Sequence, residues 1–365
     1  MEFTIDTEQQ SLVQAVRGLV GKTYDSSEAR RAVTKAEPGF AAWDQLAEMG
    51  VLSLPFEATA AEVSLAAEEL GRVIAPDPFV ESIVLAGGLI NSVGTDEQKS
   101  ELVDAIAEGQ TLPVLAWLEP NRGWSAQAVS VTYSDGKLNG VKSTVVQADR
   151  ADLLVVSAAV DGGTGLFLVT DGYATETERT HDGSRAATVT FSDTPAVALG
   201  DGGDALAALE HALNLARIAY AHEALGAMAV ALDITVGYLK TRKQFGVTLN
   251  KFQALTFRAA DMYVELELAR SAITWATIVA ADEGSTPEDV AAAASHAALQ
   301  VARAGRHIAL DAIQLHGGIG MTAEYSVGHY ASRILAIGQM IGDETFHLDR
   351  LAARIDDHTV LDPIG

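Results

Sequence analysis

Apolar residues recur at three- and four-residue intervals through the first third of the chain. The segments that show this spacing are "DTEQQSLVQAVRGLV", "FAAWDQLAEMG", "AAEVSLAAEELGRVI" and "DEQKSELVDAIAEG". Such spacing places the apolar side chains on one face of an α-helix. The pattern therefore predicts an N-terminal helical domain over residues 1–110.

Between residues 111 and 200 the apolar period shortens to two residues. Short runs rich in β-branched residues follow one another: "AVSVTY", "STVVQA", "DLLVVSAAV", "GLFLVT" and "ATVTF". These runs are typical of β-strands. The sequence "SDGK" at 134–137 predicts a hairpin turn, because Asp-Gly tolerates the positive φ angles that such turns need. We expect a small antiparallel β domain here.

Long helical patterns return after the glycine-rich "GDGGDA" at 200–205, which predicts a hinge. Thr286 and Pro287 are typical of a helix start, and the glycine pair Gly317-Gly318 is typical of a helix end. One segment has apolar residues at steps of four and three that form the seam of an antiparallel bundle: Leu255, Ala259, Met262, Leu266, Ala269 and Ile273. Residues 201–365 therefore form a C-terminal helical bundle, and the chain belongs to the α+β class with three domains.

Composition narrows the range of functions. A hydrophobic content of 48% and a mean hydropathy of +0.15 are typical of a globular protein with a large core. The chain has no cysteine, which excludes disulfides, thiolate metal ligands and a cysteine nucleophile. No apolar run has transmembrane length, and "MEFTIDTEQQ" lacks the layout of a signal peptide. We expect a cytoplasmic protein without membrane insertion, and no metal site, because the histidines lack zinc-binding spacing.

The net charge of −24 argues against nucleic acid as a partner. No basic stretch is present that could displace the counterions of a phosphate backbone. A phosphorylated small molecule needs only a few local donors and stays compatible with this charge.

Two glycine-containing motifs can be interpreted in two ways. "TRKQFG" at 241–246 and "QLHGGIG" at 314–320 both look like ordinary helix ends. In a functional interpretation, Arg242 donates to a diphosphate and Phe245 packs on a fused ring, while the glycine pair frees backbone N–H groups for an anion. No GxGxxG follows a strand, so a Rossmann site is not predicted.

The combination of "RKQFG…FQA", "AADM" at 259–262 and "QLHGGIGMTAEY" at 314–325 resembles the acyl-CoA dehydrogenase family over essentially the whole chain. The resemblance implies FAD as cofactor, an acyl-CoA substrate and an electron-transfer flavoprotein as electron acceptor. It also implies a flavin site shared between subunits of a homo- or hetero-tetramer, with Arg217 as a substrate-binding residue. The positions that it assigns to FAD are Arg242, Phe245, Gln253, Gln314, Gly317, Gly318 and Thr345.

Desaturation of an acyl-CoA requires a carboxylate that removes the α-proton. Members of the family place a glutamate either in a turn before the last helix or directly before an arginine in the bundle. The second position is Ala216 in this chain, before Arg217. At the first position, "MIGDETFHLDR" offers Asp343 as the expected base and Glu344 as the second choice. Both acids are equally typical of a helix N-terminus, where they interact favourably with the helix dipole.

The β domain departs from the family pattern. "AWLEPNRGWS" at 116–125 keeps Glu119-Pro120 but has lost glycines, and "GVKSTVVQ" at 140–147 has Thr144 and Val146 where tryptophan and threonine usually flank the flavin. The loop "PFEATAAE" at 55–62 is shortened. These departures resemble the actinobacterial α2β2 heterotetramers of steroid catabolism, whose pockets accept bulky polycyclic CoA thioesters.

We therefore expect FAD-dependent α,β-desaturation of an acyl-CoA thioester, with a steroid-derived acyl group as one candidate. Three alternatives fit the same residues. One is a catalytically incomplete partner subunit of a heteromer, another is a flavin oxidase of the same fold, and the third is a helical scaffold without flavin.

Overall fold

In the computed structural model, which describes residues 5–24, 40–340 and 342–355, the N-terminal region is helical as predicted. Capping boxes begin three of its helices, where Asp6 pairs with Gln9, Thr59 with Glu62 and Thr95 with Gln98. The α-helices are α1 Thr7–Thr23, α2 Trp43–Glu48, α3 Leu54–Glu57, α4 Ala60–Arg72, α5 Gly88–Val93 and α6 Asp96–Ala107, and a π-helix spans Phe79–Gly87.

A single eight-stranded sheet forms the central domain, with the strand order β6-β7-β3-β2-β4-β5-β8 and β1 paired to β4. The pairing is mostly antiparallel, but β1 and β2 each lie parallel to β4, which the sequence did not predict. The predicted two-residue hairpin turn is confirmed, with φ of +51° at Asp135 and +78° at Gly136. The strands are β1 Pro113–Ala116, β2 Thr132–Ser134, β3 Lys137–Val146, β4 Leu153–Val160, β5 Gly163–Val169, β6 Tyr173–Arg179, β7 Arg185–Pro195 and β8 Val197–Ala198.

The C-terminal domain is the predicted helical bundle. Its α-helices are α7 Leu206–Thr241, α8 Gln253–Ala281, α9 Pro287–Gln300, α10 Arg306–His316, α11 Ser326–Met340 and α12 Glu344–Ala352. A two-stranded hairpin, β9 Lys243–Gln244 and β10 Val247–Thr248, follows α7. A π-helical turn, Val301–Gly305, joins α9 to α10, and short 3₁₀ turns lie at Leu249–Lys251 and Gly317–Met321.

The bundle predictions are confirmed for most of the seam, and its first two residues, Leu255 and Ala259, are half-buried. Met262, Leu266, Ala269 and Ile273 of the predicted seam are buried along α8. Thr286 forms a capping box at the start of α9, with Pro287 in the first turn.

Helix α7 is the central helix of the molecule. It is long and apolar enough to cross a membrane, but 56% of its most apolar window is buried inside the protein. It packs against α4, α8, α9 and α11. These contacts make α7 a core helix, which explains why it is apolar on nearly all faces.

Two glycines bring α4 and α7 into close contact. A Cβ at Gly71 would lie 1.9 Å from the backbone oxygen of Glu223, and a Cβ at Gly226 would lie 2.1 Å from the backbone oxygen of Glu68. Only glycine allows this approach, because any other residue would push the helices apart. The contact fixes Glu223 at the interface between the N-terminal helices and the bundle.

Candidate functional site

A cavity of about 530 Å³ lies between the β domain and α11, and we call it the ring cavity. Its volume lies within the usual range of cofactor sites. The segments 116–125 and 140–147, which are 15 or more residues apart in sequence, meet in its wall. The apolar part of the lining consists of Leu118, Trp124, Val146, Leu335, Ala336 and Met340.

Strand β3 reaches the ring cavity through an irregularity. The register with β7 shifts between Lys142 and Val145, and Thr144, in between, has a φ of +50°. Such a bulge bends the strand and redirects its side chains. Thr144 and Val146 both line the cavity as a result.

The loop that carries Trp124 is held by a buried ion pair. Lys142 Nζ lies 3.1 Å from Glu119 Oε1, and the Glu119 carboxylate also accepts hydrogen bonds from the backbone N–H groups of 129–131. Burial tends to raise the pKa of Glu119, but hydrogen bonds from Ser130 and the charge of Lys142 outweigh it and lower the pKa to about 2. Glu119 thus fixes the loop as an ionised group.

A buried cluster around Arg333 closes one side of the ring cavity. Arg333 Nε donates to Glu223 at 2.7 Å and Nη1 donates to Asp182 at 2.8 Å, while Nη2 lies 3.5 Å from Glu81. Tyr220 also bonds to Glu81. These groups come from the π-helix, the β6–β7 turn, α7 and α11, so the cluster, which we call the Arg333 cluster, joins all three domains.

Burial and the charges of neighbouring groups shift the pKa values in the Arg333 cluster in opposite directions. Burial raises the pKa of Glu223, although Arg333 works against this effect. Burial alone would lower the pKa of Arg333, but the three carboxylates raise it well above its ordinary value. The sequence predicts that Glu223 is either a structural or a solvent-facing acid. Glu223 is buried in the structure, so the solvent-facing alternative is wrong. The apolar surroundings of Glu223 in "AYAHEALGAMA" are a usable signal, because a charged residue among core positions needs a partner.

The residues of "TRKQFG" lie at the other end of α7. Arg242 follows the helix as its C-cap and is exposed, and Phe245 is 92% exposed at the tip of the β9–β10 hairpin with a φ of +52°. Gln253 is the exposed first residue of α8. A bulky aromatic side chain held in solvent on a strained backbone is a candidate for covering a ligand or a partner.

The glycine turn lies beside this hairpin in the same chain. Gly317 ends α10 with a φ of +63°, and both Gln314 and Gly318 are exposed. Tyr238 in the last turn of α7 stacks on His316, with ring centroids 4.5 Å apart. The two predicted flavin-binding motifs therefore form one outer surface of one subunit, which we call the outer surface.

The parts of the outer surface lie at different distances from the site. Arg242 is 19 residues along α7 from Glu223 of the Arg333 cluster, which is about 28 Å of helix. Gln314 is eight residues along α10 from Arg306, which lines the ring cavity, and this is about 12 Å of helix. Next to the outer surface, exposed apolar side chains lie on α8, on α10 and on the 3₁₀ turn after α10: Phe257, Val264, Leu268, Leu310, Ile319 and Met321. We call this set the apolar stripe.

Comparisons with known proteins agree with this architecture. Residues 6–110 match the family model of the acyl-CoA dehydrogenase N-terminal domain, and residues 203–355 match that of the C-terminal domain. The human mitochondrial short-chain specific acyl-CoA dehydrogenase is 33% identical over 306 residues, which cover 78% of this chain and 72% of the human protein. This chain belongs to the acyl-CoA dehydrogenase family. It is accordingly an oxidoreductase that acts on CH–CH donors.

Solved structures extend the comparison to the whole chain. A variant of the Tcur3481–Tcur3483 steroid ACAD has a TM-score of 0.86 and 30% identity, covering 96% of this chain and 98% of that one. The ChsE4–ChsE5 complex from Mycobacterium tuberculosis has a TM-score of 0.87 at 24% identity, covering 99% and 100%, and supports the fold alone. A glutaryl-CoA dehydrogenase from Mycobacterium smegmatis with the same fold is in complex with FADH2. The cofactor of that neighbour agrees with the expectation of FAD for this chain.

The turn expected to supply the catalytic base is built as a helix cap. Asp343 is the N-cap of α12, and its carboxylate accepts a hydrogen bond of 2.8 Å from the backbone N–H of Phe346. Gly342 precedes it with a φ of +118°, where a Cβ would lie 2.5 Å from Phe346 and His347. Asp343 does not line the ring cavity. The geometry therefore shows the capping role directly, and catalysis by Asp343 stays a prediction.

The two residues that follow Asp343 lie at the protein surface. Glu344 forms an ion pair with Arg303 at 2.8 Å, and both side chains are about half exposed. Thr345 is exposed on the first turn of α12. A contact between Thr345 and a flavin stays a prediction.

Arg217, expected to bind substrate, is buried beneath this turn. It donates a 2.6 Å hydrogen bond to Asn214 and lies 5.5 Å from the ring centre of Phe346. Burial and the charge of Arg350 lower the pKa of Arg217 to about 9. Ala216 beside it is fully buried and carries no acid, as the sequence shows. The side chain of Arg217 packs against Phe346, which follows this turn.

Proposed function

We propose that this chain catalyses the FAD-dependent α,β-desaturation of an acyl-CoA thioester, as one subunit of a cytoplasmic oligomer that passes electrons to an electron-transfer flavoprotein. The observation that carries the proposal is the ring cavity. Its apolar walls and its volume of about 530 Å³ suit a flat fused ring. The two β-domain segments that differ from the family pattern still meet in its wall.

FAD, when bound, accepts the hydride that leaves the β-carbon of the substrate. The residues of this chain supply the environment. Trp124 and Val146 would exclude water from a bound ring, and Thr144 would offer it a hydroxyl group. Arg242 and Phe245, with Gln253, Gln314, Gly317 and Gly318, hold the dinucleotide end, because a guanidinium and free backbone N–H groups suit a diphosphate.

The motifs of the outer surface and the exposed apolar stripe beside it support a flavin that two chains share. The outer surface of one subunit is then available to the flavin in the ring cavity of another. The adjoining apolar stripe supports subunit contact, since monomers rarely expose such a patch. We propose a tetramer of this chain or of this chain with a second acyl-CoA dehydrogenase-like chain.

We assign proton abstraction to Asp343, whose carboxylate caps α12 in the structure. Asp343→Asn tests this role, because asparagine caps a helix as well as aspartate does but cannot accept the proton. We expect loss of turnover with unchanged flavin absorbance and unchanged oligomer mass. Glu344→Gln is the matched control, since Glu344 pairs with Arg303 on the surface. Full activity of Asp343→Asn together with loss of activity in Glu344→Gln would transfer the role to Glu344.

A second candidate function is that of a partner subunit that completes the flavin site of another chain. The cap hydrogen bond of Asp343 and the cavity of only about 20 Å³ beneath its turn favour it. Full activity of both variants within a co-expressed heteromer would support this role.

A steroid-derived acyl group is a finer proposal, supported by the likeness to a protein named as a steroid ACAD. Peroxide formation without an acceptor would instead indicate the flavin oxidase.

A further inference from the structure

Two arginines line the ring cavity, and they differ in their partners. Arg333 is surrounded by the three carboxylates of its cluster. Arg306, the first residue of α10, forms no ion pair within the described part of the chain. Of these two guanidinium groups, the one of Arg306 therefore carries a charge that no carboxylate compensates.

The backbone before Arg306 is built for close contact with α11. The π-helical turn Val301–Gly305 ends directly before it. A Cβ at Gly305 would lie 2.8 Å from Cγ2 of Ile334, so a larger residue would push α11 away. As a result, Arg306 and Leu335 of α11 line the same cavity. Turns of the π type are rare and are frequently found at functional sites.

The basic residues nearest to Arg306 in sequence are paired. Arg303, one turn earlier, lies 2.8 Å from Glu344, and His307 lies 3.7 Å from Asp311. None of these four residues lines the ring cavity. The missing carboxylate partner is thus specific to the basic residue of this segment that lines the cavity.

Desaturation of an acyl-CoA creates a negative charge on a flavin. The C–H bond at the α-carbon breaks and gives its proton to the carboxylate base, while the C–H bond at the β-carbon gives a hydride to the flavin. The flavin ring accepts two electrons with only one proton, so it gains one unit of negative charge. We propose that Arg306 stabilises this charge in the ring cavity and thereby favours flavin reduction. The inference rests on the proposed function, because it places the flavin ring in this cavity.

The other charges of the protein do not supply this stabilisation. The net charge of −24 disfavours a further negative charge. Burial tends to raise the pKa of Asp182 in the cavity wall, but the charge of Arg333 and a hydrogen bond from Thr180 lower it to about 2. Asp182 is therefore ionised and binds Arg333, which leaves Arg306 and His181 as the other ionisable side chains of the wall.

The exposure of Arg306 sets the size of the expected effect. Its side chain is exposed in the single chain, so solvent screens part of its charge. The apolar side chains of the cavity work in the opposite direction, because they keep water away from a bound ring. One unit charge at about 10 Å, with an effective dielectric constant of about 20, changes an equilibrium constant on the order of tenfold.

Two equilibria of the FAD-loaded oligomer measure the charge stabilisation at the flavin. Sulfite forms a bond from its sulfur to the flavin ring and leaves the ring negatively charged, and its Kd is read from the loss of flavin absorbance. The midpoint potential is read by equilibration with a reference dye, without an added anionic ligand. We expect Arg306→Gln to raise the sulfite Kd roughly tenfold. We expect it to lower the midpoint potential by about 30 mV, which is the same factor for a two-electron couple.

Three further variants show whether the charge of Arg306 is the cause. Arg306→Lys keeps a cation and should retain most of both values. His181→Gln changes the other ionisable side chain of the wall that lies outside the Arg333 pairs, and it should leave both values unchanged. Lys137→Gln removes one exposed positive charge outside the cavity wall and controls for net charge.

Several outcomes would overturn the inference while the natural oligomer still binds FAD and the proposed function stands. One is an unchanged sulfite Kd and potential in Arg306→Gln. Others are an equal change in His181→Gln, Lys137→Gln or Arg306→Lys. Loss of FAD from Arg306→Gln would assign Arg306 to cofactor retention instead. Absence of flavin from the natural oligomer would contradict the proposed function itself.

Discussion

Arg333 on α11 donates a hydrogen bond of 2.7 Å to Glu223 on α7, and both side chains are buried where the bundle meets the other two domains. The pair is part of the wall of the ring cavity, since Arg333 lines it. The contact between Arg333 and Glu223 therefore contributes both to the packing of the domains and to the wall of the ring cavity.

Replacement of Arg333 by methionine should destabilise the protein strongly. It leaves Glu81, Asp182 and Glu223 buried without their cation, and breaking a buried pair in this way typically costs about 3–5 kcal/mol. Urea unfolding of the apo protein measures the loss. Arg303→Met is the control, because its surface pair with Glu344 is worth only about 0–1 kcal/mol. Similar losses in both variants would show that the Arg333 cluster does not hold the domains together.

Asp77 should make stability depend on pH in a defined direction. Burial raises the pKa of Asp77 to about 6 against hydrogen bonds from Tyr24 and Ala42, while the unfolded value is 3.8. Because the folded pKa is raised, its stabilising contribution is complete below pH 3.8 and is lost as the pH rises through about 6.

The Asp77→Asn variant isolates this effect, since asparagine does not titrate. From pH 7 to 5, we expect the unfolding free energy of the natural protein to rise relative to the variant, by on the order of 1–2 kcal/mol. Denaturant titrations of the two proteins across this range provide the measurement. Parallel pH profiles would mean that Asp77 titrates normally in the folded state.

Removal of Arg242 or of the Phe245 ring should weaken flavin retention without unfolding the protein. Both side chains are exposed, so their truncation changes stability by about 0.5 kcal/mol or less. A charge-assisted hydrogen bond to a diphosphate, in contrast, contributes substantially to the free energy of FAD binding. We therefore expect Arg242→Ala to raise the Kd for FAD roughly tenfold or more. The flavin-to-protein absorbance ratio after dialysis is the readout, with Lys251→Ala as the control. An unchanged ratio in Arg242→Ala would contradict the assignment of the outer surface to FAD.

A charge placed in the apolar stripe should dissociate the oligomer. Leu268 is 56% exposed in one subunit, and burial of a glutamate there against another subunit would be costly. We expect Leu268→Glu to lower the mass measured by light scattering and to lose FAD with it. Leu348→Glu, the same change at a leucine that is 44% exposed on α12, is the control. Retention of the full mass by Leu268→Glu would place the subunit contact elsewhere.

Local signals predicted much of this fold. The Asp-Gly turn at 135–136, the capping box at Thr286 and the glycine end at Gly317 follow from backbone preferences of single residues, which act within a few positions. The buried seam on α8 follows from helical periodicity. The parallel pairing of β1 and β2 with β4 was missed, because strand direction depends on the path of the chain between strands and not on the strands themselves.

The amino-acid sequence alone determined the order of the three domains, their helical or strand character and the membership of the family, because these rest on periodicity and on short motifs. Only the tertiary structure decided that Glu223 is buried against Arg333, that Asp343 caps α12, and that the ring cavity lies between the β domain and α11. Charges from residues 81, 182, 223 and 333 meet in one buried cluster only after three domains have packed. Contacts between residues so far apart in sequence depend on packing geometry, which no local pattern encodes.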